Sequence, residues 1–111
     1  MIKVLKQVMN KYERFGTWKA GELLLRPEDA LSLANELEEM EIVIFGVDVW
    51  YYVDKQIVED PGSLDISDIT DGDNRVRASA KAAREFITNK LPEGTAFVSF
   101  IMEEDNQYGG N

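Results

Sequence analysis

The sequence predicts an α+β fold: a small, mostly antiparallel sheet packed against about three helices in a single domain. Three segments place apolar residues at helical spacing, and two others show the period-two alternation of strands. The 111 residues include 44% apolar and 30% charged side chains, a composition typical of a globular domain. We expect one domain over residues 1–105 and a mobile tail over 106–111.

Two helices are predicted in the first forty residues. Apolar residues recur at helical spacing over 2–14, with lysines on the opposite side, and Gly16 follows as an end signal. The second helix is predicted over 27–40, because Pro27 suits a first helical turn and the acids after it complement the helix dipole. Both helices are amphipathic, so each should pack one side against the core.

The stretch over 42–53 is the most informative part of the chain. It reads IVIFGVDVWYYV, a run of strand-forming side chains interrupted by Gly46 and Asp48. In the absence of a bulge, period two assigns one set to the core face: Val43, Phe45, Val47, Val49, Tyr51 and Val53. The other face then carries Ile42, Ile44, Gly46, Asp48, Trp50 and Tyr52.

Gly46 and Asp48 are interpreted as a local structural device. Glycine weakens a strand, and an unpaired buried carboxylate costs roughly 1 kcal/mol or more, so each requires compensation. Gly46 can permit a bulge or a close backbone approach. The Asp48 carboxylate can accept hydrogen bonds from a neighbouring turn or pair with Arg77 or Arg84.

A hairpin is predicted to follow this strand. Residues 53–56 indicate its turn, and 56–59 form a short returning strand. The segment 60–63, with its Pro-Gly pair, should end that strand. Residues 64–74 are then predicted to form an irregular acidic connection.

A third helix over 75–89 and a last strand over 95–103 complete the predicted domain. Asp73 or Asn74 should cap the helix. Three basic residues lie along one side of it and are expected to pair with the acidic middle of the chain: Arg77, Lys81 and Arg84.

The chain has no cysteine and no histidine. Disulfides, thiolate nucleophiles, the commonest general base and the commonest transition-metal ligand are therefore excluded. The acids between Asp65 and Asp73 do not form a calcium loop, because placing Gly72 at the sixth position puts Ala78 where the bidentate glutamate belongs. A solvated acidic loop is favoured over an irregular cation site, and we expect no cofactor.

Neither enzymatic nor membrane function is expected. Asp48 with a loop acid could act as a pair of catalytic carboxylates, but the sequence defines no cleft around them. No apolar run approaches the roughly 20 residues of a membrane-spanning helix, and the first residues lack the features of a secretory signal. We expect a cytoplasmic protein that binds no membrane.

The formal net charge of −9 is concentrated in the middle of the chain. Residues 27–74 carry fourteen acidic groups and one basic group, whereas 1–26 and 75–94 are both net basic. An acidic middle argues against nucleic-acid binding, which needs lysine and arginine on phosphates. It favours a basic partner, or it serves solubility alone.

A family resemblance extends from Trp18 onward. The residues that carry it are Leu24, Leu25, the run Pro27-Glu28-Asp29-Ala30-Leu31, Leu37, the strand Ile42 to Phe45, Gly46-Val47-Asp48-Val49-Trp50, Ser79, Ala83, Arg84, Phe86-Ile87 and Phe97-Val98-Ser99-Phe100. In these positions the sequence resembles the immunity protein 40 family of bacterial polymorphic toxin systems. That family tends toward two glycines before the aspartate, whereas this chain has Val47 in the second place.

The resemblance implies a cytoplasmic antidote that binds and blocks a cognate toxin domain, such as a basic nuclease. The predicted toxin-facing residues are the acids of the 59–73 region with nearby aromatics: Trp50, Tyr52, Glu59, Asp60, Asp65, Asp68, Asp71 and Asp73. An acidic adaptor without a toxin partner remains the alternative function, and an acid-base enzyme that uses Asp48 is a third. The oligomeric state stays open.

Overall fold

The computed structural model describes residues 2–66 and 74–102. Within them, three helices cover one face of a curled, antiparallel five-stranded sheet of order β1-β2-β5-β3-β4. The elements are α1 (Ile2–Glu13), β1 (Gly16–Lys19), β2 (Glu22–Leu25), α2 (Pro27–Glu39), β3 (Ile44–Val53), β4 (Gln56–Asp65), α3 (Arg75–Asn89) and β5 (Phe97–Met102). The predicted α+β fold is confirmed. The predicted tail over 106–111 lies outside the described residues, and none of the described helices is of a length and apolarity that would let it traverse a bilayer.

The three helices follow the sequence prediction closely. Helix α3 has the predicted bounds, α2 begins at Pro27 as expected, and α1 ends one residue early. Asn74 occupies the position before α3 but makes no side-chain capping hydrogen bond. Asp73, the other predicted cap, lies outside the described residues. Helical periodicity is a local signal, and it was sufficient here.

The hairpin of β1 and β2 was not predicted. It turns through Ala20 and Gly21, whose φ angles of 53° and 80° lie in the left-handed region that a tight two-residue turn requires. Gly16 opens β1 instead of merely ending α1, and a Cβ there would lie 2.4 Å from the Leu24 carbonyl oxygen. The strands have four residues each, too few for a clear period-two pattern.

Strand β4 runs further than predicted, through the Pro-Gly pair to Asp65. Its register against β3 shifts between Val47 and Val49, so the pair occupies a bulge. Ser63 closes this bulge: its hydroxyl accepts a hydrogen bond from the Val49 amide at 3.2 Å and donates one to the Asp60 carbonyl at 3.1 Å. Pro61 has no backbone N–H to donate. Because β4 is the edge strand of the sheet, no further strand on its outer side needs that hydrogen bond.

A second irregularity changes the phase of β3. Its register against β5 shifts between Ile44 and Gly46, which makes Phe45 the extra residue. Ile44 and Val47 therefore both face the helices, although the prediction placed Ile44 on the other face. Of the residues predicted for the core face, Phe45 is only half-buried, whereas Val43, Val47 and Val49 are fully buried. Val53, assigned to the core by the same alternation, is exposed at the hairpin end.

The main core lies between the helices and the sheet. It contains Leu23, Leu25, Ala30, Leu33, Leu37, Ile44, Val47, Val49, Ala83, Phe86, Val98, Phe100 and Met102. Two polar contacts tie the helices in place. The Ser79 hydroxyl accepts a hydrogen bond from the Ile44 amide at 3.1 Å, and Arg84 on α3 pairs with Glu38 on α2 at 2.7 Å.

The sheet curls until its two edges face each other. One groove is lined jointly by residues of β1 and of the β3–β4 turn: Thr17, Trp18, Lys19, Lys55, Gln56 and Ile57. The face away from the helices is therefore concave. Leu24 lies between two core residues and so points to this concave face, where it is fully buried.

Candidate functional site

Three carboxyl groups from three strands meet on the concave face. Asp48 on β3 is directly opposite Ser99 on β5, and Trp50 is directly opposite Glu59 on β4. Glu22 reaches the same place from β2, because its carboxyl contacts both Ser99 and Asp48. We refer to Glu22, Asp48 and Glu59 as the carboxyl cluster.

A chain of hydrogen bonds joins this cluster to a buried indole. The Trp50 Nε1–H donates to the Ser99 hydroxyl at 3.0 Å, and that hydroxyl donates to Glu22 Oε1 at 2.7 Å. Trp50 is only 3% exposed and Ser99 only 1%. Both donors are thus satisfied inside the curl, and they hold the Glu22 carboxyl in a fixed position.

Two carboxyl groups of the cluster, those of Glu22 and Glu59, have raised pKa values. Burial, followed by a hydrogen bond and the charge of Asp48, raises the pKa of Glu22 from its ordinary 4.5 to about 7, although the Ser99 hydrogen bond opposes the shift. Burial and the Asp48 carboxyl also raise the pKa of Glu59. Among the described residues, no lysine or arginine contributes to either shift. The cluster therefore carries negative charge that no positive side chain in the described part of the chain offsets.

This arrangement suits the charged group of a lysine or arginine side chain better than a metal ion. Across residues 2–66 and 74–102, no group of three acidic side chains is placed to hold a metal. Glu22, whose pKa is raised, can instead release its proton when a positive group approaches. A lysine or arginine side chain supplies such a group together with hydrogen-bond donors.

Exposed apolar side chains border the cluster. Tyr52 is 55% exposed and packs edge-on against Phe97, with ring centroids 5.8 Å apart. Ile101 is also largely exposed and lines a shallow groove with Gly46 and Asp48. A Cβ on Gly46 would lie 3.1 Å from the Leu64 carbonyl oxygen, so the glycine permits the close approach of β4 at this point.

The predicted site residues differ in exposure, and some of them lie outside the described part of the chain. Tyr52 and Glu59 are exposed, as a binding surface requires, whereas the expectation that Trp50 lies on that surface is wrong, because its indole is buried against Ser99. Asp60 is half-buried and Asp65 exposed on β4. The remaining predicted acids, Asp68, Asp71 and Asp73, lie outside the described residues.

One of the alternatives predicted for Asp48, pairing with Arg84, is wrong. Arg84 donates to Glu38 at 2.7 Å and to Asn35 at 3.3 Å, on the helix side of the sheet. Asp48 instead lies on the concave face beside Glu22 and Glu59, and it is 8% exposed. The sheet separates the arginine-bearing helix from the aspartate, which sequence spacing could not indicate.

Sequence reasoning missed two members of the site, Glu22 and Ser99. They are 77 positions apart in the chain, and they meet only because β2 and β5 are neighbours in the sheet. One weak signal was available. A single acid precedes three leucines in the run Glu22–Leu25, where it breaks an otherwise apolar strand.

Comparison of the chain with protein-family models, with curated proteins and with solved structures found no match.

Proposed function

We propose that this protein is a cytoplasmic immunity protein that binds and neutralises a cognate bacterial toxin domain with a basic surface. The observation that carries the proposal is the carboxyl cluster, where Glu22, Asp48 and Glu59 lie together and no basic residue contributes to the raised pKa of Glu22 or Glu59 within the described chain. The resemblance to the immunity protein 40 family supports the same function.

A basic side chain of the partner would complete the carboxyl cluster. Its positive charge would favour the ionised form of Glu22 and so lower the raised pKa. Below about pH 7, binding would then release a proton, and affinity would rise with pH up to about 7 and level off above it. Such proton release distinguishes entry of a cation into the cluster from binding elsewhere on the acidic surface.

The border of the cluster fits an interface with a protein. Tyr52 offers an exposed aromatic ring already held by Phe97, and aromatic anchors of this kind dominate binding energy at interfaces. The net charge of −9 would speed the approach of a basic toxin domain. Charge would thus set the association rate, and the aromatic border would slow release.

A matched pair of charge reversals tests the proposal. Glu59 and Glu28 are both exposed acids, but Glu59 belongs to the carboxyl cluster, whereas Glu28 lies in the first turn of α2. The chain is co-expressed with the candidate toxin domain encoded beside its gene, and growth is scored. We expect protection by the unaltered chain and by Glu28→Lys, and lost protection with an association rate reduced about tenfold in Glu59→Lys.

The possible results also separate the other two functions. Growth that no variant restores, with no complex formed, supports an adaptor without a toxin partner. Equal protection by both variants would place the toxin on another surface. Turnover of a small substrate that is lost in Glu22→Gln, with no toxin bound, would support acid-base catalysis by the carboxyl cluster, for which a pKa of about 7 is suitable.

A further inference from the structure

The two outer strands of the sheet leave main-chain groups directed outward. Both hairpins turn through two residues with positive φ, Ala20 and Gly21 in one and Asp54 and Lys55 in the other. In such hairpins the residues flanking the turn are hydrogen-bonded to each other, and the next pair along is not. The N–H and C=O groups of Trp18 therefore point away from β2.

The same alternation applies to β4. Ile57 is opposite Tyr52 and Glu59 is opposite Trp50, both in non-hydrogen-bonded positions counted from the turn. Their main-chain groups point away from β3, toward the outer edge. Within the described residues, β1 pairs only with β2, and β4 pairs only with β3.

These two edges enclose one groove. Thr17, Trp18 and Lys19 line it from β1, and Lys55, Gln56 and Ile57 line it from the opposite side. An extended chain in the groove can therefore pair with outward groups of Ile57 and Glu59, or with those of Trp18. It would add one strand to the edge of the curled sheet, which is a known mode of peptide recognition.

The charge of the groove is opposite to that of the molecule. Lys19 and Lys55 are both exposed, and neither has an ion pair or side-chain hydrogen bond with another described residue. A second copy of the chain pairing edge to edge would bring lysines together, so self-association through this groove is disfavoured. A strand with carboxylate side chains would be attracted instead.

Trp18 supplies an apolar wall for such a strand. Its side chain is 50% exposed, although the indole N–H is already bonded to Glu13 on α1 at 3.0 Å. The ring is thus held in place with one surface available. A half-exposed tryptophan at the rim of a groove is typical of an interaction site.

We propose that the groove between the edges of β1 and β4 binds an extended acidic segment of a partner protein, which adds to the sheet as a strand. The carboxylates of that segment lie near Lys19 and Lys55, and its apolar side chains contact Trp18 and Ile57. This site lies at the outer edge of β4, where it uses the main chain of Glu59, whereas the carboxyl cluster uses the Glu59 side chain. It selects a charge opposite to that bound by the cluster, so it does not depend on the proposed toxin antidote function.

A synthetic peptide of alternating glutamate and valine, seven residues long and blocked at both ends, serves as the probe. NMR titration of the full chain should shift the amide signals of Ile57 and Glu59 and the indole signal of Trp18. The same peptide N-methylated at alternate residues keeps its charge but cannot pair as a strand, and it should bind at least about tenfold more weakly. A lysine-valine peptide should leave the Ile57 amide and Trp18 indole signals unshifted.

A double charge reversal tests the lysines. Lys19→Glu with Lys55→Glu should weaken peptide binding about tenfold, because two attractive pairs become repulsive ones. Lys81→Glu with Lys90→Glu, two exposed lysines of α3 and the residue after it, should leave binding unchanged. Thermal melting checks that both variants fold, and the N-methylated peptide tests strand pairing without any variant. Equal binding of the glutamate-valine peptide and its N-methylated form would overturn the proposal. NMR signal shifts confined to residues outside the groove and the edge of β4 would overturn it as well.

Discussion

The two faces of the sheet differ in how their charged side chains are paired. On the helix side, ionisable groups at the margin of the core are paired across elements: Lys11 with Glu36 at 2.7 Å, and Arg84 with Glu38 at 2.7 Å. On the concave side, carboxyl groups adjoin one another, and no basic residue of the described chain contributes to their raised pKa values. The ion pairs on the helix side join separate elements of the fold, whereas the carboxyl groups of the concave face have no such pairing among the described residues.

Glu22 and Glu36 illustrate this difference directly. Burial raises the pKa of both, but hydrogen bonds from Lys11 and Tyr12 outweigh it at Glu36 and leave the pKa lowered. At Glu22 the neighbouring Asp48 adds to burial, and the pKa reaches about 7. The chemistry of the neighbours, and not burial alone, decides the direction of the shift.

The largest expected effect concerns the apolar core on the helix side. Leu33→Ala should lower the free energy of unfolding by about 3 kcal/mol, because Leu33 is 1% exposed and its removal leaves a cavity. Ile101→Ala, on the concave side and 44% exposed, should cost less than about 1 kcal/mol. Chemical denaturation measures both, and equal losses would contradict the assignment of the main core.

The next effect is a pH dependence that originates on the concave face. Because the pKa of Glu22 is raised on folding, the folded state binds more protons, and stability falls as pH rises from about 4.5 to about 7. Glu22→Gln should reduce this slope, leaving the smaller part that comes from Glu59, and stabilise the protein at pH 8 on the order of 1 kcal/mol, after allowance for solvent screening. Denaturation at a series of pH values tests it, and an unchanged slope would exclude Glu22 as its source.

The smallest effect has the opposite sign and comes from the helix side. Because the pKa of Glu36 is lowered on folding, its contribution to stability is present above its ordinary value of 4.5 and is lost as the pH falls below it. Glu36→Gln should therefore destabilise the protein at pH 7, by less than about 1 kcal/mol, and have little effect at pH 3. The same denaturation series measures it. Stabilisation at pH 7 would contradict the comparison of the two faces.

The sequence by itself determined the local elements. Helical periodicity located all three helices within a residue or so, and period-two alternation located β3, its turn and β5. It also identified Tyr52 and Glu59 as exposed candidates and marked Gly46 and Asp48 as exceptional within a strand. Each of these signals depends on residues close together in the chain.

Only the tertiary structure decided the bulges and the site. The bulge at Phe45 exchanges the faces of β3, and strand order brings Glu22 and Ser99 to Asp48 from distant positions. The tertiary structure also buries Trp50, which the sequence analysis placed on the binding surface. The physical reason is that period two assigns residues to faces only until one extra residue intervenes, and that long-range strand pairing leaves no periodic pattern in the sequence.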